Sequence, residues 1–76
     1  MNPRLPRITG AQLLRALRRA GWTVKRQTGS HVHLVHSKRP GLVTVPQHAG
    51  ETLKEWTVSS VLKQAGMTAE ELRELL

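Results

Sequence analysis

The side chains in this chain most able to move protons near neutral pH are its four histidines, His31, His33, His36 and His48. Three of them lie in one short run that opens with Gly29-Ser30-His31. No carboxylate precedes them, and the first acidic side chain in the sequence is Glu51. The first fifty residues hold nine Lys or Arg and no Asp or Glu, whereas the last twenty-six hold five Glu against Lys54, Lys63 and Arg73. The whole chain carries a formal charge of +7. Histidines inside a basic half-chain suit general acid–base work on a phosphodiester, because the cations attract phosphate and the imidazoles can pass protons.

Two plainer readings stand beside that one. His31 and His33 could be no more than polar residues on the wet face of an amphipathic strand. They could also share a metal ion, as an H-x-H pair. Zinc, however, takes four ligands in a closed site or three plus water. His36 has the wrong strand parity to join the pair, and hard cations need carboxylate oxygens that the first half of the chain lacks. The expectation is therefore no metal and no cofactor. His48 is either a second proton-transfer group or a loop histidine that caps a backbone group.

These residues need a scaffold, and the pattern supplies one. Thr9 and Gln12 have the spacing of a capping box, with Ile8 and Leu13 as its hydrophobic staple. Leu13, Leu14, Leu17 and Ala20 then form an apolar stripe at helical spacing, and Gly21 ends the helix. Residues Trp22 to Arg26 alternate apolar and polar as a strand does, up to the Thr28-Gly29-Ser30 turn. His31 to His36 read as a second strand, with Val32 and Leu34 on one side and His31 and His33 on the other. Lys38-Arg39-Pro40-Gly41 is predicted as a turn, Leu42 to Val45 as a third strand, and Thr57 to Ala65 as a helix closed by Gly66. Thr68 and Glu71 form a second capping box, stapled by Met67 and Leu72, that starts a short terminal helix. The two early prolines predict an extended lead-in.

The expected product is one α+β domain over residues 1–76, a three-stranded antiparallel sheet with helices on one face. A chain this short buries only ~60% of its unfolded surface, so any site must lie on the outside of one small core. Cysteine is absent, which removes disulfides and thiolate chemistry. The first seven residues lack the apolar run of a signal peptide, and no stretch reaches the ~20 apolar residues of a membrane span, so the expected location is cytoplasmic with no membrane partner. Arg15, Arg18 and Arg19 fall off the apolar stripe of the first helix. With Lys25, Arg26, Lys38 and Arg39 they are the expected contacts to nucleic-acid phosphate, beside the plainer reading of the helix charges as a solvated face. Trp22 and Trp56 are the only aromatics. Both are read as core: Trp22 beneath the first helix, Trp56 at the start of the second.

Four segments taken together resemble one family: T-G-A-Q-L-L-R-A-L-R-R-A-G-W, then G-S-H-V-H, V-T-V-P-Q-H and V-L-K-Q-A-G-M-T-A-E-E-L. They are similar to HicA toxins, the mRNA interferases of type II toxin–antitoxin systems, over about residues 8 to 75. The resemblance implies a double-stranded-RNA-binding-domain-like α-β-β-β-α fold, cleavage of mRNA, and neutralisation by a HicB-type antitoxin. It implies that His31 is the catalytic histidine and that Gly29 and Ser30 form the turn presenting it. His33 and His48 are then supporting groups, with Pro46-Gln47-His48 matching the family's P-x-H segment. Where the family often has Pro-Gly before its second helix, this chain has Glu55-Trp56. The rival expectations are an RNA-binding module of the same fold without catalysis, and an interaction protein for an acidic partner.

Overall fold

The computed structural model describes residues 5–76. Pro3 and Arg4 of the expected lead-in lie outside the described residues. The order is α1 (Gly10–Arg19), β1 (Trp22–Thr28), β2 (His31–His36), β3 (Arg39–Pro46), α2 (Glu55–Ala65) and α3 (Ala69–Leu75). The strands form one antiparallel sheet in the order β1-β2-β3. This is an α+β fold of the double-stranded-RNA-binding-domain kind, with one helix more than the α-β-β-β-α core.

Both capping boxes close as their sequences predict. The Thr9 N–H donates to Gln12 Oε1 at 2.9 Å, and the Gln12 N–H donates back to Thr9 Oγ1 at 3.2 Å. At α3 the Thr68 N–H donates to Glu71 Oε1 at 3.0 Å, and the Glu71 N–H to Thr68 Oγ1 at 3.1 Å. Gly66 ends α2 at φ 65, the left-handed value that glycine adopts without a Cβ clash.

The core lies on one face of the sheet. Leu13 and Leu17 of α1 meet Leu34, Val43 and Val45 of the strands, Val58 and Val61 of α2, and Leu72 of α3, all essentially excluded from water. Burying a leucine or valine side chain stabilises by about 1.5–3 kcal/mol, and these residues span every element except β1. That strand contributes Trp22 alone; the rest of it is exposed. Val24 has the parity of Trp22 but lies further along this edge strand and is exposed.

The other departures are at boundaries. The β2–β3 turn is Ser37-Lys38, and Arg39 and Pro40 begin β3 instead of lying in the turn. Proline is tolerated there because β3 is an edge strand and one row of its N–H sites is outside the ladder. The register shifts between Leu34 and His36, and Gly41 takes φ 91. Helix α2 starts at Glu55, two residues before the expected start, with extended Lys54 as an N-cap that makes no side-chain cap. Without a Ser, Thr, Asp or Asn at that position the sequence carries no start signal.

Candidate active site

β1 and β2 are joined by a two-residue turn, since Thr28 pairs with His31 across Gly29-Ser30. Gly29 takes φ 58, the positive value that tight hairpins demand at a first central residue. The Gln27 side-chain N–H₂ donates to the Gly29 carbonyl at 3.0 Å and braces the turn. His31 is the first residue out of it, exposed and at the end of the central strand. Among the described residues none hydrogen-bonds its side chain.

A second hydrogen bond brings the loop after β3 to this turn. The Gln47 N–H donates to the Ser30 carbonyl at 2.6 Å, and the Glu51 N–H donates to the His48 carbonyl at 3.0 Å. The same loop is gripped from the other side by α1. An added Cβ on buried Gly10 would lie 2.6 Å from the Pro46 carbonyl oxygen, so only glycine allows the helix to start so close to this segment. The consequence is that His48, seventeen residues along the chain, opens onto the same groove as His31. The groove holds about 510 Å³ and runs between the end of the sheet, this loop and α2.

Register places the rest of the open face. Residues directly opposite on neighbouring strands share a side, so Arg26 (opposite His33), Thr28 (opposite His31) and Thr44 (opposite His33) join the two histidines there. His33 is half-buried, and its Nδ1 lies 3.0 Å from Thr44 Oγ1. Thr44 also donates its N–H to Gln64 Oε1 of α2 at 3.0 Å. His33, Thr44 and Gln64 thus form a polar bridge from the open sheet face to the groove wall. His33 does not line the groove itself.

His36 has a different environment. Its Nε2 lies 3.1 Å from the Ala20 carbonyl, and its Nδ1 accepts the Lys38 N–H at 3.0 Å. With these two partners Nδ1 is the acceptor and Nε2 the donor of the ring. The ring meets Trp22 edge-on at 5.2 Å between centroids. A Cβ on Gly21, which sits at φ 99, would come 2.7 Å from His36 Nε2. His36 is therefore a structural clamp on the α1–β1 junction, in line with the inward parity expected of it.

The expected phosphate contacts divide. Arg26 and Lys25 lie on exposed β1, with a register shift between Val24 and Arg26 that leaves Lys25 unpaired as a bulge. Lys38 is exposed in the β2–β3 turn. Arg15, Arg18 and Arg19 stand on the outer side of α1, whose inner side covers the core face of the sheet, so they point away from the open face that carries His31. Arg19 donates to the Leu75 carbonyl at 2.5 Å and to the Leu76 carbonyl at 3.5 Å, at the end of α3. Arg39 donates to the Ala65 and Gly66 carbonyls at 3.0 and 3.4 Å and caps α2. These two guanidiniums hold helix ends, where cations meet the negative pole of the helix dipole.

Several residues of the groove were not singled out from the sequence as part of the site, among them Thr44, Glu51, Lys54, Trp56, Ser60 and Gln64. Thr44 and Gln64 carry no local signal, since their juxtaposition depends on α2 lying beside β3. Trp56 was read as core but is 70% exposed on the groove rim. Helix geometry accounts for it. The core face of α2 is Val58, Val61, Leu62 and Ala65, and Trp56 is two residues from Val58, about 200° around the helix. Glu51 brings a carboxylate to the groove of His31 and His48 that sequence distance did not suggest. Among the described residues no three His, Asp or Glu side chains are grouped as metal ligands would be.

No helix among the described residues is long and apolar enough to cross a membrane. One family model matches residues 10–67, and its description is the HicA toxin of bacterial toxin–antitoxin systems. The matched stretch runs from the first residue of α1 to the residue after α2 closes, and includes the whole groove. None of the curated proteins compared with the chain matches it.

Proposed function

Because this chain belongs to the HicA toxin family, and is thus a toxin whose system includes an antitoxin, we propose that it acts as a metal-independent endoribonuclease on mRNA with its active centre at His31. The observation that carries this reading is the contrast in commitment among the histidines. His36 has both ring nitrogens occupied and His33 has one, whereas among the described residues none hydrogen-bonds the His31 ring, which lines an open groove that His48 also lines.

The chemistry follows from what the groove holds. The nucleophile is the substrate's own ribose 2′-hydroxyl. It attacks the adjacent phosphorus, the bond to the 5′-oxygen breaks, and a 2′,3′-cyclic phosphate forms. One proton leaves the 2′-hydroxyl and one reaches the 5′-oxygen. His31 serves one of these transfers as base or acid, and His48, which lines the same groove, is the candidate for the other. A single proton-transfer group contributes about 10²–10⁴-fold. The remainder comes from holding the RNA in line and from cations near the phosphorane, for which Arg26 and Lys25 on β1 and Lys54 on the groove are candidates. Arg26 and Lys25 would also draw RNA phosphate to the open face. The partner that silences the toxin is read as a HicB-type antitoxin whose acidic surface covers the groove, and both would act in the cytoplasm.

The test is cleavage of RNA by purified protein in excess EDTA, with analysis of the product ends. The expected products are a 2′,3′-cyclic phosphate, or its hydrolysed form, and a 5′-hydroxyl. Single-stranded DNA, and RNA with a 2′-deoxy substitution at the cut, should resist. Activity that EDTA abolishes and a divalent ion restores, or 5′-phosphate ends, would refute the mechanism. RNA binding without any cleavage would leave a non-catalytic RNA-binding module.

A further inference from the structure

The indole of Trp56 has no packing role that explains it. A tryptophan carries one of the largest apolar side-chain surfaces and is usually mostly buried. Here 70% of the residue is exposed, on the side of α2 turned away from Val58, Val61 and Leu62. The residue nevertheless has a defined place. It lies in the first turn of a hydrogen-bonded helix, on the rim of the groove that His31 and His48 share. We propose that Trp56 is a stacking platform for one nucleobase of single-stranded RNA, next to the phosphate at His31. The proposal rests on the reading of this groove as an RNA-cleaving site and adds a base-binding subsite to it.

Three features favour a base over any other occupant. The groove, about 510 Å³, is within the ~300–1,000 Å³ range of small-ligand sites, and His31 and Trp56 both face it. A nucleotide whose phosphate lies at His31 therefore has somewhere to put its base. Charge adds to this. Arg26 on the open sheet face and Lys54 at the start of α2 attract phosphate, whereas Glu51 on the loop side repels it, so the backbone is drawn past His31 and Trp56 remains the apolar surface of the groove for a base. Polar groups for a base edge are also there. Ser60 and Gln64 line the groove; Gln64 Oε1 accepts the Thr44 N–H and its NH₂ donates to Ser60 Oγ at 3.5 Å, which fixes the amide and leaves its second N–H and the Ser60 hydroxyl for a base edge. Stacking on an aromatic face tolerates any base, so Trp56 supplies affinity and position while the polar pair supplies preference.

The experiment uses short single-stranded RNAs with 2′-fluoro riboses throughout, which bind but lack the attacking hydroxyl. Trp22 is 2% exposed, so changes in solvent quenching of indole emission report on Trp56. Wild-type emission should change on RNA addition and become protected from acrylamide. Trp56→Ala should bind about tenfold more weakly, and Trp56→Phe should recover most of the loss. An abasic nucleotide moved along the RNA should weaken wild-type binding at one position by a similar factor and add little in Trp56→Ala. Because the side chain is exposed, both variants should melt as wild type does. Unchanged RNA affinity in Trp56→Ala would overturn the proposal. So would an abasic loss that is the same in both proteins, or a variant that loses antitoxin binding but keeps RNA binding. If wild type cuts RNA and Trp56→Ala cuts it equally well, the stacking subsite fails and the nuclease stands. If wild type binds with the abasic signature but never cuts natural RNA, the subsite stands and the nuclease fails.

Discussion

The two ends of β2 carry the same side chain and put it to opposite uses. At the His36 end the imidazole accepts a backbone N–H, hydrogen-bonds a helix-end carbonyl, packs on Trp22 and leaves no room for a side chain at Gly21. At the His31 end it leaves a tight turn into open space with no hydrogen-bond partner among the described residues. A Cβ on Gly29 would meet nothing within 4 Å, in contrast with the crowding at Gly21. One end of the strand is fixed by the protein, and the other is left open. A ring with both nitrogens satisfied inside the fold cannot accept or donate a proton without breaking something. A ring with neither satisfied can.

The sharpest way to break this comparison is to remove each ring in turn. His31→Ala should lower RNA cleavage at least about 10²-fold and leave thermal stability within about 0.5 kcal/mol of wild type. His36→Ala should do the reverse, costing about 1–3 kcal/mol because the Lys38 N–H and the Ala20 carbonyl lose a partner and a cavity opens beside Trp22. Its cleavage rate per folded molecule should remain near wild type. Melting curves and cleavage rates on the same preparations decide the matter. A His36→Ala protein that is fully stable but inactive would reverse the assignment of the two ends. His33→Ala should fall between them in both readings, as its single bond to Thr44 suggests.

The arginines opposite these histidines extend the test with a smaller effect. Arg26 lies across from His33 on the open face, and Arg39 lies across from His36 and caps α2. Arg26→Ala should weaken RNA binding and reduce the slope of log affinity against log salt by about one. Arg39→Ala should leave that slope alone and lower stability by about 1 kcal/mol through the lost helix cap. Replacing Arg15 and Arg18 should change the slope less than Arg26→Ala does, because α1 presents them away from the open face. A slope that responds to the α1 pair and ignores Arg26 would move the RNA to the helical side.

The smallest effect belongs to Glu71, also at the His36 end. Its carboxyl is held below its ordinary value, first by the Thr68 backbone N–H, then by the Thr68 side chain, and more weakly by the charge of Arg39. A carboxylate favoured by the fold contributes stability that is present above its unfolded pKa and is lost as pH falls through the lowered folded value. The melting temperatures of wild type and Glu71→Ala should therefore differ slightly at neutral pH and converge in acid. A gap that persists at low pH would mean that the side chain acts by packing instead of by capping. Cleavage at neutral pH should be unaffected.

Much of the fold was legible because its signals are local. Thr9-Gln12 and Thr68-Glu71 need only three-residue spacing to form their boxes, Gly21 and Gly66 need only their own φ, and β2 has the length and the alternation that its sequence predicts. The start of α2 was misplaced for the same reason in reverse: Lys54 offers no cap, so no local signal marks it. The position of Trp56 was recoverable from helical periodicity alone, given Val58, Val61 and Leu62 as the buried face. The β2–β3 turn was misplaced because Pro40-Gly41 is a strong turn pair. Only the register shift and the edge position of β3 turn it into strand.

For the site, the sequence by itself determined that a histidine would stand exposed at the end of β2. Gly29-Ser30-His31 needs no distant residue to form a hairpin tip with an exposed histidine after it. The basic half-chain likewise fixes that phosphate will be attracted, since charge is a sum over residues wherever they fold. Only the tertiary structure decided which groups surround that histidine. His48 reaches the groove through the Gln47–Ser30 hydrogen bond and the close approach of Gly10 to Pro46, and Gln64 reaches it because α2 lies beside β3. It also decided which cations lie on the open face, by engaging Arg19 and Arg39 at helix ends and turning Arg15 and Arg18 away. Those outcomes depend on contacts between residues far apart in the chain, and periodicity, which is a property of neighbours, does not encode them.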